Sequence, residues 1–367
     1  MHLNDDKRIV MTLDAGGTNL VFSAMQGNTE IIPEVTLPSF PNDLERCLSS
    51  VVEGFSIVTK SLPAPAAAIS FAFPGPADYP KGIIGDLPNL PAFRGGVALG
   101  PMLEDRYGVP VFINNDGDLY AFGESIAGFL PYVNSLLERA GSPKRYQNLL
   151  GVTLGTGFGG GIVRRGELFI GDNSIAGEMW LLRDKLAPGT NIEEHVSARG
   201  LRRVYALRAR IPVEDAPSPK DIYHICVGRL KGDQAAAHRA FEEMSEAMWD
   251  ALSNAITLID GLIVIGGGLS GAADVFLPMV IHEMNSTYKG SDGSSFRRLA
   301  ARVYNLEDEK DLEKFLAGSS REIIVHGSTR KVAYDPEIRI GIGVTRLGAS
   351  KAIAIGAYAF ALQSLDR

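Results

Sequence analysis

Three clusters of glycine could support chemistry on an anion: Asp14-Ala15-Gly16-Gly17-Thr18, Gly155-Thr156-Gly157-Phe158-Gly159-Gly160-Gly161 and Gly266-Gly267-Gly268. Backbone N–H groups in a glycine-rich turn approach phosphate oxygens closely because no Cβ intervenes, and they bind the anion without a lysine. Neither of the first two clusters contains G-x-x-x-x-G-K-[ST], so neither is a P-loop. Neither leads directly into a helical pattern, which separates them from the dinucleotide-binding fingerprint. Any one cluster is equally a tight β-turn, but three of them, each closing a predicted strand, point together to a phosphate-bearing ligand. Asp14 adds a requirement. A carboxylate beside a phosphate turn is repelled unless a cation such as Mg²⁺ lies between them, directly or through water. The alternative for Asp14 is a turn-capping role, and Asp116 likewise reads as the N-cap of a helix beginning at Gly117.

These residues need a frame to position them. The run Arg8 to Asp14 predicts a strand entering the first cluster, with further strands at Leu20 to Met25 and Ile31 to Leu37. Leu44, Cys47, Leu48, Val51, Val52 and Phe55 recur at three- and four-residue spacing and predict an amphipathic helix. Ala66 to Phe73 and Pro110 to Ile113 predict two more strands with no helix between them, and Asn114-Asn115-Asp116 caps a helix from Gly117 to Ala127. Mid-chain the opening recurs: a strand at Leu149 to Leu154, a glycine turn, and a strand resuming at Gly161 to Arg164. That separation is too long for a solenoid repeat and predicts domain duplication. Helical patterns follow at Ile192 to Leu207 and Phe241 to Ile259, then a buried strand at Leu262 to Ile265 and a closing helix at Gly348 to Leu365. The segments 129–148 and 285–334 predict long loops, the second a polar surface excursion.

The motifs, taken in order, resemble the ROK family of bacterial sugar kinases and repressors, within the actin-like ATPase superfamily. Asp14-Ala15-Gly16-Gly17-Thr18 is similar to that family's first phosphate motif, Asn115-Asp116 to its catalytic pair, and Gly155 to Gly161 to its second phosphate motif. Ala176-Gly177-Glu178 and Gly266-Gly267-Gly268 follow in the same order, with Pro74-Gly75-Pro76 through Pro88-Asn89-Leu90-Pro91 matching the sugar-domain stretch. The resemblance implies an α/β, two-domain actin-like ATPase (ribonuclease H-like) fold with a nucleotide and sugar cleft between duplicated domains. It implies domains at 1–116 plus 350–367, and at 117–349. It makes Asp116 the base for a sugar hydroxyl and gives sugar contacts to Asn89, Asn115, Asp116, Glu178 and Glu193. ATP would lie against Asp14, Gly16, Gly17, Thr18, Gly155, Thr156, Gly157, Gly266, Gly267 and Gly268, with Asp14 serving the Mg²⁺ that travels with ATP. Asp118, two positions along the helix from the base, reads as solvated or structural.

The chain departs from the resemblance after Glu178. Many ROK proteins carry there a histidine and a group of cysteines holding a structural zinc. Here Leu181 takes the histidine slot and Ala187-Pro188-Gly189-Thr190-Asn191 replaces the cysteines, so no zinc is expected. His195 reads as a helix-surface residue without a role. Losing the histidine removes a hydroxyl contact and leaves the sugar open. The readings are therefore a glucose-like hexose kinase acting at the 6-hydroxyl, an N-acetylmannosamine or N-acetylglucosamine kinase, or a non-catalytic sugar-sensing ROK protein.

Composition limits the partners. The 367 residues carry 36 Lys+Arg against 43 Asp+Glu, a net charge of −7, with no basic run to neutralise nucleic-acid phosphates. Only Met1 to Arg8 precede the first predicted strand, which disfavours a winged-helix repressor. Cys47 and Cys226 are the only two cysteines, fitting a reducing, cytoplasmic setting without a disulfide framework. No apolar run approaches the roughly 18 residues of a membrane span, so no membrane partner is expected. The resemblance adds a homodimer or higher homo-oligomer.

Overall fold

The largely apolar segment Val10–Ala15 forms strand β1, and β2 (Asn19–Gln26) pairs antiparallel with it. In this computed structural model, which describes residues 3–16, 18–85 and 91–367, the hairpin begins the first of two compact units, Met1–Ile126 with Leu168–Ala176 and Ser350–Arg367. Strand β3 (Val35–Pro38) pairs with the outer side of β2, while β4 (Ala68–Ala72) and β5 (Val111–Asn114) extend the sheet in parallel from β1. The expected strand from Ile31 to Leu37 is broken, with a two-residue strand at Thr29–Glu30 and β3 on either side of Pro33, which has no N–H for a ladder. Between β4 and β5 stands a helix missing from the sequence reading. The crossover that parallel strands require includes α2 (Leu99–Tyr107), preceded in number by α1 (Leu44–Ser61).

Alternation along the strands divides their residues between two faces. Met11, Leu13, Phe22, Phe71 and Ile113 form one core with Cys47, Val51, Phe55 and Val58 of α1. The opposite face is small, with Thr12, Ser23, Ser70 and Ala72 all buried. Small residues let helices lie close. Ala72 packs with Leu119 of α3 (Asp116–Ile126) and Ala357 of the C-terminal helix Ala349–Leu365. Those two helices touch main chain to main chain: a Cβ on Gly123 would overlap the Ala352 carbonyl, and one on Gly356 the Leu119 carbonyl.

The second unit, Ala127–Glu167 with Gly177–Ala349, repeats the plan. Strands β6 (Asn148–Leu154) and β7 (Phe158–Arg164) form the antiparallel hairpin, and β8 (Leu262–Gly266) lies parallel to β6. Beyond them β9 (Arg302–Asn305) and β10 (Arg339–Val344) complete the sheet, in the order β7-β6-β8-β10-β9. Leu150, Val152, Ile263, Ile265, Ile340 and Ile342 share one core with residues of α5 (Ala198–Ala209), α6 (Pro219–Cys226), α7 (Gln234–Ile259) and α8 (Ala273–Met284).

The two segments read as long loops are ordered elements. Residues 129–148 begin as α4 (Phe129–Arg139), whose Val133 and Leu137 are buried. Asn134 then exchanges two hydrogen bonds with the Tyr146 backbone, each 2.9 Å, which straps the return to the helix. Residues 285–334 contain β9, with Val303 and Tyr304 buried, and α9 (Glu309–Ala317), capped by the Asp308 side chain. The charged run that suggested a surface excursion is the first turn and outer face of α9. Among the described residues no helix is long and apolar enough to cross a membrane.

Gly123→Ala tests the close contact in the first unit. In an open helix the change stabilises by about 1 kcal/mol. Here the overlap with Ala352 is expected to dominate and cost about 2 kcal/mol, read as a lower urea midpoint at unchanged slope. A raised midpoint would show that the two helices are not in contact.

Candidate active site

In the first unit the parallel register gathers the carboxyl ends of three strands on one edge. Asp14 stands opposite Ala72, and Ala72 opposite Asn114, so Asp14 and the residues following Asn114 are two strand spacings apart, about 10 Å. Asn115 is the N-cap of α3: its carbonyl accepts the Leu119 N–H at 3.1 Å and its Oδ1 accepts the Gly117 N–H at 2.8 Å. Asp116 is therefore the first helical residue, and its Oδ1 also accepts the Gly117 N–H, at 2.9 Å. On its other side the Asn115 amide approaches the Tyr79 hydroxyl at 3.5 Å, and that hydroxyl donates to the Phe73 carbonyl at 2.9 Å. The cap is thus braced from the end of β4.

Asp116 and Asp14 both expose their side chains. Desolvation by surrounding protein nevertheless raises the Asp116 carboxyl above its ordinary value, the backbone N–H of Gly117 opposes this, and the charge of Asp14 adds to the rise. A carboxylate can meet solvent on one side with protein crowding the others. Asp118 points elsewhere and is buried at 3% exposure, which removes solvation as its role.

In the second unit the β6–β7 turn closes tightly, with the Gly155 N–H donating to the Gly157 carbonyl at 3.0 Å. The first turn does the same through Gly16 and the Asn19 carbonyl at 2.9 Å. The N–H groups of Thr156 and Gly157 make no backbone hydrogen bond among the described residues, and Thr156 is exposed. The third cluster abuts this turn. Gly267 has φ +85° and lies so near the Leu154 carbonyl that a Cβ would overlap it. Gly160 of β7 has a packing purpose: a Cβ there would strike the Gly177 carbonyl and Met179. Its bareness admits the Ala-Gly-Glu segment against the strand, which places Glu178 beside the hairpin.

Glu193 lies on a short 3-10 turn, Ile192–Glu194, ahead of α5. The expected continuous helix from Ile192 is interrupted there because Ser197 caps α5, accepting the Gly200 N–H at 3.0 Å. The Glu193 carboxylate accepts the Phe158 N–H at 3.0 Å and lies 3.6 Å from Arg199. It therefore holds the second turn. Glu178 accepts a hydrogen bond from the indole of the half-exposed Trp180, a partner the sequence reading passed over. His195 is a correction: it is buried at 7% exposure and bonded to the carboxylate of Asp184. Asn89 and Gly17 lie outside the described residues. No group of three His, Cys, Asp or Glu able to hold a metal occurs among the described residues.

The sequence profile of the ROK family matches residues 10–304. The chain is 54% identical to a glucokinase from Parabacteroides distasonis of known crystal structure, with TM-score 0.91 over 99% of both chains. A ROK glucokinase from Streptomyces griseus, solved with glucose and AMPPNP, superposes with TM-score 0.60 at 20% identity, covering 97% of this chain and 99% of that one. The N-acetyl-D-glucosamine kinase of Vibrio vulnificus is 28% identical over 275 residues, 70% of this chain and 83% of the relative. The α/β, two-domain actin-like ATPase fold expected from the motifs is the fold of this chain.

The raised Asp116 carboxyl has a stability consequence. A carboxyl with a native pKa above its unfolded value binds its proton more tightly when folded. Stability therefore falls as pH rises through the window between the two values, and stays lower above it. Asp116→Asn, which keeps an acceptor for Gly117, is expected to raise the melting temperature at neutral pH by about 1–3 °C. Well below the ordinary value of 3.8 the difference is expected to vanish. A lowered melting temperature at neutral pH would contradict the direction of the shift.

Proposed function

The chain belongs to the ROK family, and on that premise we propose that it is an ATP-dependent kinase that phosphorylates a glucose-like hexose at its 6-hydroxyl, with Asp116 as the base. The observation that carries this reading is the placement of Asp116: solvent-accessible, on the first turn of α3, on the same strand edge as Asp14, with its carboxyl raised. Asp116 accepts the hydroxyl proton as the sugar oxygen forms its bond to the γ-phosphorus. The bond from that phosphorus to the β–γ bridging oxygen breaks, and ADP leaves with the electron pair. Such transfer needs positioning and charge neutralisation more than a strong base, so a carboxylate in hydrogen-bond reach suffices.

Asn89, Asn115, Glu178 and Glu193 are proposed to hold the sugar hydroxyls. The Trp180 indole keeps the Glu178 carboxylate in one orientation. The N–H groups at Thr156 and Gly157 are proposed to receive phosphate oxygens, with Gly266 to Gly268 against the nucleoside. Gly16, Gly17 and Thr18 of the first glycine cluster are proposed to contribute to the ATP site. The exposed Asp14 carboxylate is a hard oxygen donor suited to Mg²⁺, directly or through water, and that ion supplies charge neutralisation on the nucleotide. We further propose a cytoplasmic homodimer or higher homo-oligomer without zinc, in which the cysteine-free loop 187–191 keeps its shape through hydrogen bonds. The relationship to an N-acetyl-D-glucosamine kinase supports an N-acetylhexosamine as the second reading.

A coupled ADP-release assay across glucose, mannose, fructose, glucosamine, N-acetylglucosamine and N-acetylmannosamine tests both readings. The highest kcat/KM is expected with glucose. A preference for an N-acetylated sugar selects the second reading, and silence with all six selects the non-catalytic sugar-sensing protein. Asp116→Ala is expected to lower kcat about 10³-fold at normal folding, and wild-type turnover in that variant would remove Asp116 from the reaction. Metal analysis of untagged protein is expected to find no stoichiometric zinc.

A further inference from the structure

We propose that Asp184 and His195 form a buried clamp that positions Glu193 and, through it, the second glycine turn for nucleotide binding. The nucleotide part of this proposal rests on the kinase reading above, whereas the positioning part rests on contacts within the second unit alone. Asp184 is fully buried, at 0% exposure, although it stands in a loop whose Lys185, Pro188, Gly189 and Thr190 are exposed. One carboxylate oxygen accepts the Leu186 N–H at 2.8 Å and the Ala187 N–H at 3.2 Å, and the other is bonded to His195 Nδ1. The Asp184 N–H donates to the Thr190 carbonyl at 3.1 Å. One side chain thus closes the loop on itself and fastens it to His195.

The far side of the imidazole is also occupied. Arg203 lies 3.5 Å from Nε2 and donates to the Glu194 carbonyl at 2.7 Å. Glu243 lies 4.0 Å from Nε2 and is paired with Arg208. His195 is therefore held by Asp184, Arg203 and Glu243 together, and its own N–H donates to the Ile192 carbonyl at 3.0 Å, which fixes the turn carrying Glu193.

From that turn and from the start of α5 two hydrogen bonds reach the glycine cluster. Glu193 takes the Phe158 N–H at one end, and the Ala198 N–H donates to the Gly155 carbonyl at 2.8 Å at the other. Ser197 Oγ donates to the Glu193 carbonyl at 2.7 Å and keeps the two anchors in register. Backbone donors bind an anion well only when they are held in place beforehand, so the clamp acts on the ligand through the turn without touching it. Asp184 and His195 are positioning residues.

The test uses the full chain and two readouts: AMPPNP affinity by calorimetry and amide hydrogen exchange at Phe158 and Ala198. Asp184→Ala and His195→Ala are expected to weaken AMPPNP about ten-fold or more. Exchange at Phe158 and Ala198 should accelerate while Leu262–Gly266 stays protected. His195→Asn, whose amide nitrogen can stand near the Nδ1 position, is expected to restore most of the affinity. If the alanine variants do not fold, Asp184→Asn, which keeps the size of the side chain and removes its charge, is read against wild type in the same way, with smaller shifts in the same places. Wild-type affinity and protection in the variants would overturn the proposal, and so would an equal loss of protection across Leu262–Gly266. Failure of the wild-type protein itself to bind AMPPNP counts against the kinase reading, and the exchange measurements then decide the clamp alone.

Discussion

Several candidate site elements are placed by main chain lying directly on main chain, which a missing Cβ permits. In the first unit Gly123 and Gly356 bring α3 and the C-terminal helix into contact, so the helix that begins at Asp116 cannot shift without a clash. In the second unit Gly160 admits Gly177, which brings Glu178 to the hairpin, and Gly267 seats the third glycine cluster against the end of β6. Interiors packed to this density have discrete arrangements and little tolerance, so the same contacts that define the folds also set the positions of the polar groups. Glycine here serves assembly at Gly123, Gly356, Gly160 and Gly267.

That placement has electrostatic consequences. Asp116 lies at a helix N-terminus, where the backbone favours a negative charge, yet desolvation and the neighbouring Asp14 outweigh that preference. The outcome is a carboxyl with more affinity for a proton than a surface aspartate, which suits the base role proposed for Asp116. Glu193 is treated differently. Its carboxylate is committed to the Phe158 N–H and faces Arg199, so its charge is partly neutralised beside the turn it supports. Two carboxylates that look alike in the sequence thus differ in what their surroundings allow.

The elements bearing the motifs were legible because their signals are local. The strands leading to Asp14 and Gly155 are largely apolar, and α1 shows its buried stripe at Cys47, Val51 and Phe55 in simple periodicity. The missed elements lack such signals. Helix α2 is short, contains Gly100 and Pro101, and buries few side chains, while β9 is only four residues long and α9 lies in a charged stretch and buries only Phe315. His195 and Asp184 could not be paired from sequence, because nothing in residue type or spacing announces that an exposed loop carries one buried carboxylate. The placement of Asn115, Asp116, Glu178 and Glu193 came from motif order, and the contacts that hold them were visible only in the folded chain.

The most direct test of Asp116 as a proton acceptor with a raised carboxyl pKa is the pH dependence of kcat/KM for the preferred sugar. The predicted result is a single-proton acid limb with an apparent pKa above the ordinary aspartate value of 3.8, absent from the residual activity of Asp116→Asn. A limb at or below that value, or the same limb in the asparagine variant, would contradict it.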